Sequence, residues 1–313
     1  MSRVACIIVT WNSAAIVPPL LQSIPCATSS ATATHTIIVD NASTDGTVAT
    51  AREVMPDATI VARDVNDGYA AAINAGMEHA GDADYVLVLN PDVRLEAGFV
   101  RAMLDAAEQP GVGIVAPRLL DANGHTLPTL RRDPTVTRAL GEAVLGGRRA
   151  GRMSALGEMV VDPAAYEQPQ DVDWASGAAL LITRPCAEAV GEWDESFFLY
   201  SEETDFALRA RDAGFRVRYT PQARAVHLEG ASHVSDRLWT ILTVNRVRLY
   251  ARRHGRASTL AFRGAVIVNE GLRALAGSSR HRSALRALLD AQQAPSEGAR
   301  RGDAADGQES RSA

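Results

Sequence analysis

The chain has 313 residues, of which 46% are hydrophobic and 22% charged, with a formal net charge of −5. That length supplies the core of one large α/β domain or two small ones, and the acidic balance offers no global basic field, so nucleic acid is not an expected partner. All 32 basic residues are arginine, which excludes chemistry built on a lysine amine, such as a Schiff base, pyridoxal phosphate or a Walker A loop.

Through residue 120, short apolar runs alternate with helical patterns, the form of a parallel sheet. Strands are predicted at Val4–Thr10, Thr36–Asp40, Thr59–Ala62, Tyr85–Asn90 and Gly113–Ala116. Helices are predicted between them, near Ala14–Ser23, Thr47–Met55, Tyr69–Ala80 and Gly98–Ala107. Ligands of open α/β sheets sit at the carboxyl ends of the strands. Residues 118–171 are rich in Arg, Gly and Pro, with weak periodicity only between Val136 and Leu145, and are expected to be irregular. After them come an apolar run at Ala178–Thr183, a helix near Pro185–Val190 and an acidic helix between Ser201 and Gly214. Two short strands, Phe215–Tyr219 and Arg224–Leu228, are predicted next. From Arg237 to Asp290 the pattern is helical, with eleven arginines against Glu270 and Asp290. Residues Pro295–Ala313 have the composition of a disordered tail.

Cys6, Cys26 and Cys186 show no paired spacing, so neither a zinc site nor a disulfide framework is expected. The first apolar run ends too early for a signal peptide, and no run of about 18 apolar residues marks a spanning helix. A cytoplasmic protein is the expectation.

Five segments carry residue types suited to chemistry. Asp40 ends a buried strand, where a carboxylate can accept hydrogen bonds from a nucleobase or ribose. Asn66, Asp67 and Gly68 form a turn into a helix whose free amides favour a diphosphate; Asn74, at helical spacing, serves equally as a core hydrogen bonder. Asp92, after Asn90 and Pro91, is placed to bind a divalent cation that also holds substrate phosphates, although a strand-end turn explains the same residues. Glu202 and Glu203 open the acidic helix, as a general base or as a favourable helix start. His227 follows a short apolar strand, and a lone histidine there is more often an ordinary surface or core residue.

Taken in order, IIVTWN, VDNASTDGT, NDGYAAAINAG, VLNPDV, WASGAALLITR, EWDESFFLYSEETDFALRARDAGF and AVHLEGAS resemble the inverting family 2 glycosyltransferases, across residues 4 to 232. The nearest subgroup is similar to bacterial rhamnosyltransferases. The resemblance implies a GT-A-type nucleotide-sugar-binding α/β fold with a central, mostly parallel sheet. Its catalytic domain would span residues 1–232, with 118–171 on the acceptor side, followed by a basic helical extension over 233–293 and a tail over 294–313.

The same resemblance implies roles. Asp40 would contact the nucleotide base, with Thr10 and Asn12 nearby, while Asn66, Gly68 and Asn74 would line the donor pocket. Asp92 matches the last position of the family's Asp-x-Asp motif, with Asn90 in the first, and His227 matches its metal-binding histidine; the metal would be Mn2+ or Mg2+. Glu203 takes the base position of a Glu-Asp pair, with Glu202 as its rival. Trp174, Ser176 and Gly177 match a segment near the acceptor. The implied reaction moves a sugar from a nucleoside-diphosphate sugar, first dTDP-L-rhamnose, to a hydroxyl of a glycan or polyprenyl-linked acceptor in cell-envelope polysaccharide synthesis. One in-line displacement by one base inverts the anomeric centre, whereas retention through a covalent intermediate needs a second carboxylate at the sugar.

A non-catalytic nucleotide-sugar-binding protein of the same fold is the main rival. A dinucleotide oxidoreductase would carry glycines after the first strand, where Thr10-Trp11-Asn12-Ser13 stands. The basic helical region leaves two expectations open: its helices pack on the catalytic domain, or one lies on an anionic leaflet with its arginines among the headgroups.

Overall fold

The computed structural model describes residues 2–28, 32–228 and 235–290. The expected tail and the Glu229–Ser232 end of the AVHLEGAS segment lie outside the described residues. The first strand, β1 (Ser2–Thr10), is buried from Val4 onward, as befits a near-continuous apolar run covered on both faces. Its side chains divide by alternation: Val4, Cys6 and Ile8 enter one core, Ala5, Ile7 and Val9 the other.

The elements that follow are α1 (Val17–Ala27), β2 (Thr32–Asn41), α2 (Thr47–Val54), β3 (Thr59–Arg63), α3 (Tyr69–Met77), β4 (Tyr85–Leu89), β5 (Val93–Leu95), α4 (Phe99–Ala107) and β6 (Val112–Leu120). Next come β7 (Leu130–Arg131), α5 (Val136–Leu145), α6 (Gly147–Ala150), β8 (Gln170–Val172), β9 (Trp174–Ala175), β10 (Ala179–Thr183), α7 (Arg184–Val190), α8 (Glu202–Asp212) and β11 (Arg216–His227). Three helices close the described chain: α9 (Asp236–Arg253), α10 (Arg256–Leu275) and α11 (Ser279–Leu289).

The main sheet runs β3-β2-β1-β4-β10-β6-β11-β5, with β8 also pairing β11. β3, β2, β1 and β4 are parallel neighbours, as are β6 and β11. β10 is antiparallel to both β4 and β6. One core holds α1 and α4 against the sheet, and the other holds α3 and α8.

Several elements differ from expectation. The first helix begins at Val17 rather than Ala14, because the carbonyl of Ser13 accepts from the amides of Ile16 and Val17 in a preceding turn and Pro18-Pro19 favours the helix start. The two strands expected after Gly214 are one, β11, whose register with β6 shifts between Thr220 and Arg224, around Pro221. Residues 118–171 are not irregular throughout: they extend β6 and contain β7, α5, α6 and most of β8. Their weak periodicity follows from packing against the C-terminal helices, where Ala139 joins Tyr250, Phe262, Ala265, Val266 and Leu288 in a third core.

The arginines of α9 are drawn into the protein. Arg246 bridges Glu142 at 2.8 Å and Glu158 at 2.6 Å, Arg252 pairs with Asp194 and Arg253 reaches Asp212 at 2.7 Å. Protein carboxylates thus already neutralise Arg246, Arg252 and Arg253 of α9, in keeping with packing of this helix on the catalytic domain. No helix among the described residues is long and apolar enough to cross a membrane.

Arg246 carries the prediction from this packing. Arg246→Met leaves two carboxylates in a mostly buried site, and breaking a buried pair from one side costs about 3–5 kcal/mol. The Arg246 side chain is 24% exposed, which places the expected loss near the lower end, about 3 kcal/mol. Urea unfolding that differs little from the wild type would refute this account.

Candidate active site

Chain topology brings the chemistry-bearing residues to one edge of the sheet. Ala179 pairs with Leu89 across β10 and β4, and the Asn90 amide donates to the Ala178 carbonyl at 2.9 Å. Gly177 and the Asn90–Asp92 turn are thus neighbours despite their separation in sequence. On the other side, His227 pairs with Val93 across β11 and β5. His227 Nε2 lies 3.1 Å from Asp92 Oδ2. Asp92 Oδ1 is buried and has no hydrogen-bond partner.

The acidic helix α8 enters the same edge. Glu202 is 3% exposed, and Oε2 of both Glu202 and Glu203 is buried without a partner. Gly177 lies against Glu203: a Cβ on it would come within 3.2 Å of the Glu203 Cβ. Burial raises the Glu202 carboxyl well above the ordinary range, and the neighbouring Glu203 charge adds to this. Burial also raises Glu203, opposed by backbone hydrogen bonds and by the Arg131 guanidinium. Tyr69, at the start of α3, donates its hydroxyl to Asn90 Oδ1 at 2.8 Å. Its own pKa is pushed well up by burial and then by Glu202, Glu203 and Asp92.

The segment aiming α8 is strained. Tyr200 (φ 66°) and Ser201 (φ 76°) are consecutive non-glycine residues in the left-handed region, a conformation that costs of order 1–3 kcal/mol each and persists only where surrounding contacts fix it. Asn245, buried on α9, supplies such contacts: its Nδ2 donates to the carbonyls of Leu199 at 3.0 Å and Tyr200 at 3.2 Å. Arg248 of the same helix donates to the Ser196 carbonyl at 2.7 Å.

The strand-end turns form a second group. Thr10 and Asp40 are opposite each other in the β1–β2 register, and the Thr10 hydroxyl donates to Asp40 Oδ1 at 2.8 Å. The hydroxyl and amide of Ser43 donate to the same carboxylate. Asp40 is 2% exposed, so it fixes the turn rather than projecting from it. Asn12 (φ 48°) accepts from the Thr44 amide at 2.9 Å and remains exposed.

Asn66 Oδ1 accepts from the Gly68 amide at 3.1 Å. Gly68 has φ 101°, and a Cβ there would overlap the Phe198 carbonyl, so only glycine allows α3 to dock on the loop before α8. Asn74 acts as the hydrogen bonder that its helical spacing also allowed. Its Oδ1 accepts from the Trp193 amide and its Nδ2 donates to the Trp193 carbonyl and Glu195, all at 2.9 Å. It ties α3 to the loop ahead of α8. Trp174 and Ser176 pack on the β7 segment, through the Arg132 and Thr129 carbonyls.

Three neighbours of the site escape a reading of the sequence. Tyr69 lies within a quoted segment, but nothing local marks its hydroxyl. Arg131 sits in an aperiodic stretch, and Asn245 is one polar residue in a helical pattern 42 positions after Glu203.

Asp92 and His227 form one carboxylate–imidazole pair, with an orphaned carboxylate oxygen beside it. No group of three or more His, Cys, Asp or Glu side chains suited to a metal occurs among the described residues. This pair fits a hard cation that takes one or two protein ligands and draws the rest from phosphate oxygens.

This sheet order, with substrate-type residues gathered at the strand ends, is a nucleotide-sugar transferase architecture of the GT-A type. Among solved structures, a mannosyltransferase from Pyrobaculum calidifontis, PcManGT, determined with GDP-Man and Mn2+, matches 90% of this chain and 78% of its own, with a TM-score of 0.55 and 18% identity. The family model "Glycosyl transferase family 2" matches residues 5–156, and "Glycosyl transferase family group 2" matches residues 85–266. The N-acetylglucosaminyl-diphospho-decaprenol L-rhamnosyltransferase of Mycobacterium tuberculosis is 35% identical over 213 residues, which are 64% of this chain and 68% of that protein. Rhamnosyltransferase WbbL of Escherichia coli is 23% identical over 52% of this chain and 59% of its own length. This chain belongs to the family 2 glycosyltransferases and is an enzyme of that class.

The buried carboxylates generate a stability prediction. A folded-state pKa raised above the unfolded value favours the protonated form. Stability from the Glu202–Glu203 pair is fully present below the ordinary carboxylate range and is lost as pH rises through the raised values. Glu202→Gln should therefore raise the melting temperature at pH 7 and leave it nearly unchanged at pH 4. A variant less stable than the wild type at pH 7 would show that Glu202 is not held against its ionisation.

Proposed function

We propose that this enzyme transfers L-rhamnose from dTDP-L-rhamnose, with inversion, to a hydroxyl of a polyprenyl-diphosphate-linked glycan. The observation carrying a transfer assisted by a general base is the gathering of three shielded, unpartnered carboxylate oxygens, on Asp92, Glu202 and Glu203, at one sheet edge, and inversion is supported by the resemblance to the inverting family 2 enzymes. The sugar is supported by the names of the M. tuberculosis and E. coli relatives, and the acceptor by that of the M. tuberculosis relative. In this reading Asp92 and His227 hold a divalent cation, Mn2+ or Mg2+, whose chemistry is to neutralise charge developing on the leaving diphosphate.

Glu203 is the proposed general base. A base must be ionised when the acceptor arrives, and Arg131 opposes the effect of burial on Glu203, while Glu202 has only its backbone contacts to oppose burial and its neighbour's charge. Glu203 therefore takes the acceptor proton as the hydroxyl oxygen attacks the anomeric carbon. Tyr69 and Gly177 fix the wall beside it. Trp174 and Ser176 face the acceptor side, and the Thr10–Asn12 and Asp40–Ser43 turns flank the nucleotide.

Release of dTDP from dTDP-L-rhamnose in the presence of a polyprenyl-diphospho-N-acetylglucosamine acceptor tests the whole reading. Glu203→Gln should cut kcat by about 10²–10⁴-fold with donor affinity little changed, and Glu202→Gln should be milder. The reverse ranking assigns the base to Glu202. Donor binding without turnover under all conditions would favour the non-catalytic alternative.

The metal assignment has its own measurement. Asp92→Ala and His227→Ala should each abolish Mn2+-dependent stimulation, and titration with Mn2+ followed by electron paramagnetic resonance should show weakened binding in both. Unaltered Mn2+ binding in both variants would place the metal elsewhere.

A further inference from the structure

Helix α10 buries Phe262, Ala265 and Val266 in the third core and turns a second apolar face outward. Arg263, Glu270 and Arg273 face the protein, while Arg256 at the helix start is exposed. Arg263 donates to the Leu288 carbonyl, Arg273 donates to the carbonyl of Glu142 at 3.1 Å, and Glu270 is 2% exposed between Trp239 and His281. Outward, at spacings of three and four, stand Ala257, Leu260, Gly264, Val268, Leu272 and Leu275, one apolar stripe along the helix. Leu275 is 86% exposed and Leu260 67%.

At its C-terminal end this stripe meets the end of α5. Arg273 lies 3.7 Å from the position of a Cβ on Gly146, so the exposed Val144 and Leu145 sit in the same corner as Leu272 and Leu275. Arg148, Arg149 and Arg152 follow within eight residues of Val144, and all three are exposed. No hydrogen bond or ion pair engages their guanidinium groups, or those of Arg282 and Arg286 on α11, among the described residues. This contrasts with α9, whose Arg246, Arg252 and Arg253 are paired.

We propose that this corner, formed by the apolar face of α10, the end of α5 and the arginines after it, docks the enzyme on an anionic lipid surface. The apolar side chains enter the headgroup boundary and the arginines meet lipid phosphates. Charge selects this occupant over a second copy. A two-fold contact uses the same patch on both copies, so it would bring these unpaired arginines against a patch carrying the same positive charge. Residues 291–313 contain no Val, Ile, Leu, Met, Phe, Tyr or Trp and offer no large apolar side chain to cover the stripe. The proposal deepens the reading of a lipid-linked acceptor and rests on it for its purpose. The segment bearing β7, which pairs with Trp174 and Ala175, continues into α5, so one stretch of chain joins the acceptor side to the docking corner.

Co-sedimentation of the full chain with vesicles of phosphatidylglycerol, or of phosphatidylcholine alone, tests this. Binding is expected to the anionic vesicles only, and to weaken with salt. Arg148→Glu/Arg149→Glu/Arg152→Glu should lower it by about a hundredfold, at roughly fivefold or more per arginine. Leu272→Gln/Leu275→Gln should also lower it, by about tenfold. Both variants should release dTDP from donor at the wild-type rate in detergent solution, where no bilayer is present. Equal binding to neutral vesicles, or binding unchanged in both variants, overturns the proposal. So does a concentration-dependent dimer, lost in Leu272→Gln/Leu275→Gln, without vesicle binding. Because vesicle binding is read without substrate, it can fail while dTDP release persists, which separates this inference from the proposed reaction.

Discussion

The antiparallel insertion of Ala179–Thr183 between Tyr85–Leu89 and Val112–Leu120 is the constraint on which the site depends. In a purely parallel sheet the next strand would arrive through a crossover, with its carboxyl end at the ligand edge. Here the strand runs the other way, so the residues that precede it, Trp174 to Ala178, come to the edge instead. Gly177 then lies beside Asn90 and against Glu203. The register admits no drift: both faces of β10 are buried, and a slip of one residue would exchange every side chain between the two cores.

Around that edge the protein holds groups in states they would not adopt alone. Glu202 and Glu203 are shielded from water, which disfavours their ionised forms, yet they open a helix whose dipole favours negative charge. The strain at Tyr200 and Ser201 turns the chain sharply so that the first helical turn points inward. Such strain survives only where neighbours determine it, and Asn245 meets two of the carbonyls that the turn exposes. Gly68, without a side chain, lets α3 close on the same loop from the opposite side.

The C-terminal helices are thus part of the catalytic architecture as well as an extension of it. α9 is strapped to the loop before α8 by Asn245, Arg248 and Arg252, and to the Glu142–Glu158 pair by Arg246. Its basic composition serves internal neutralisation, since Glu142, Glu158, Asp194 and Asp212 pair with Arg246, Arg252 and Arg253. Among the described residues, Arg148, Arg149 and Arg152 after α5 and Arg282 and Arg286 on α11 have no such partners. Composition alone counts both sets together, and partners in space separate them.

The sequence by itself determined the alternation of strand and helix to residue 120, the acidic helix before Gly214, the helical character of the basic region and the membership of the family. Each of these follows from local periodicity, turn residues or short contiguous motifs. It also picked out Asp92, His227, Glu202 and Glu203 by residue type. Tertiary structure decided what these residues meet. The Asp92–His227 contact depends on β11 pairing with β5, a three-residue strand too short to leave a periodic signal. The inward turn of Asp40 depends on Thr10 and Ser43, and the attachment of Asn74 depends on a loop nearly 120 residues away. Residues 118–171 looked irregular because the partners that order them, α9 and α10, come a hundred residues later, and periodicity records a face only where the covering surface is regular. Which arginines meet a carboxylate was likewise settled by distance in space, which a linear chain does not record.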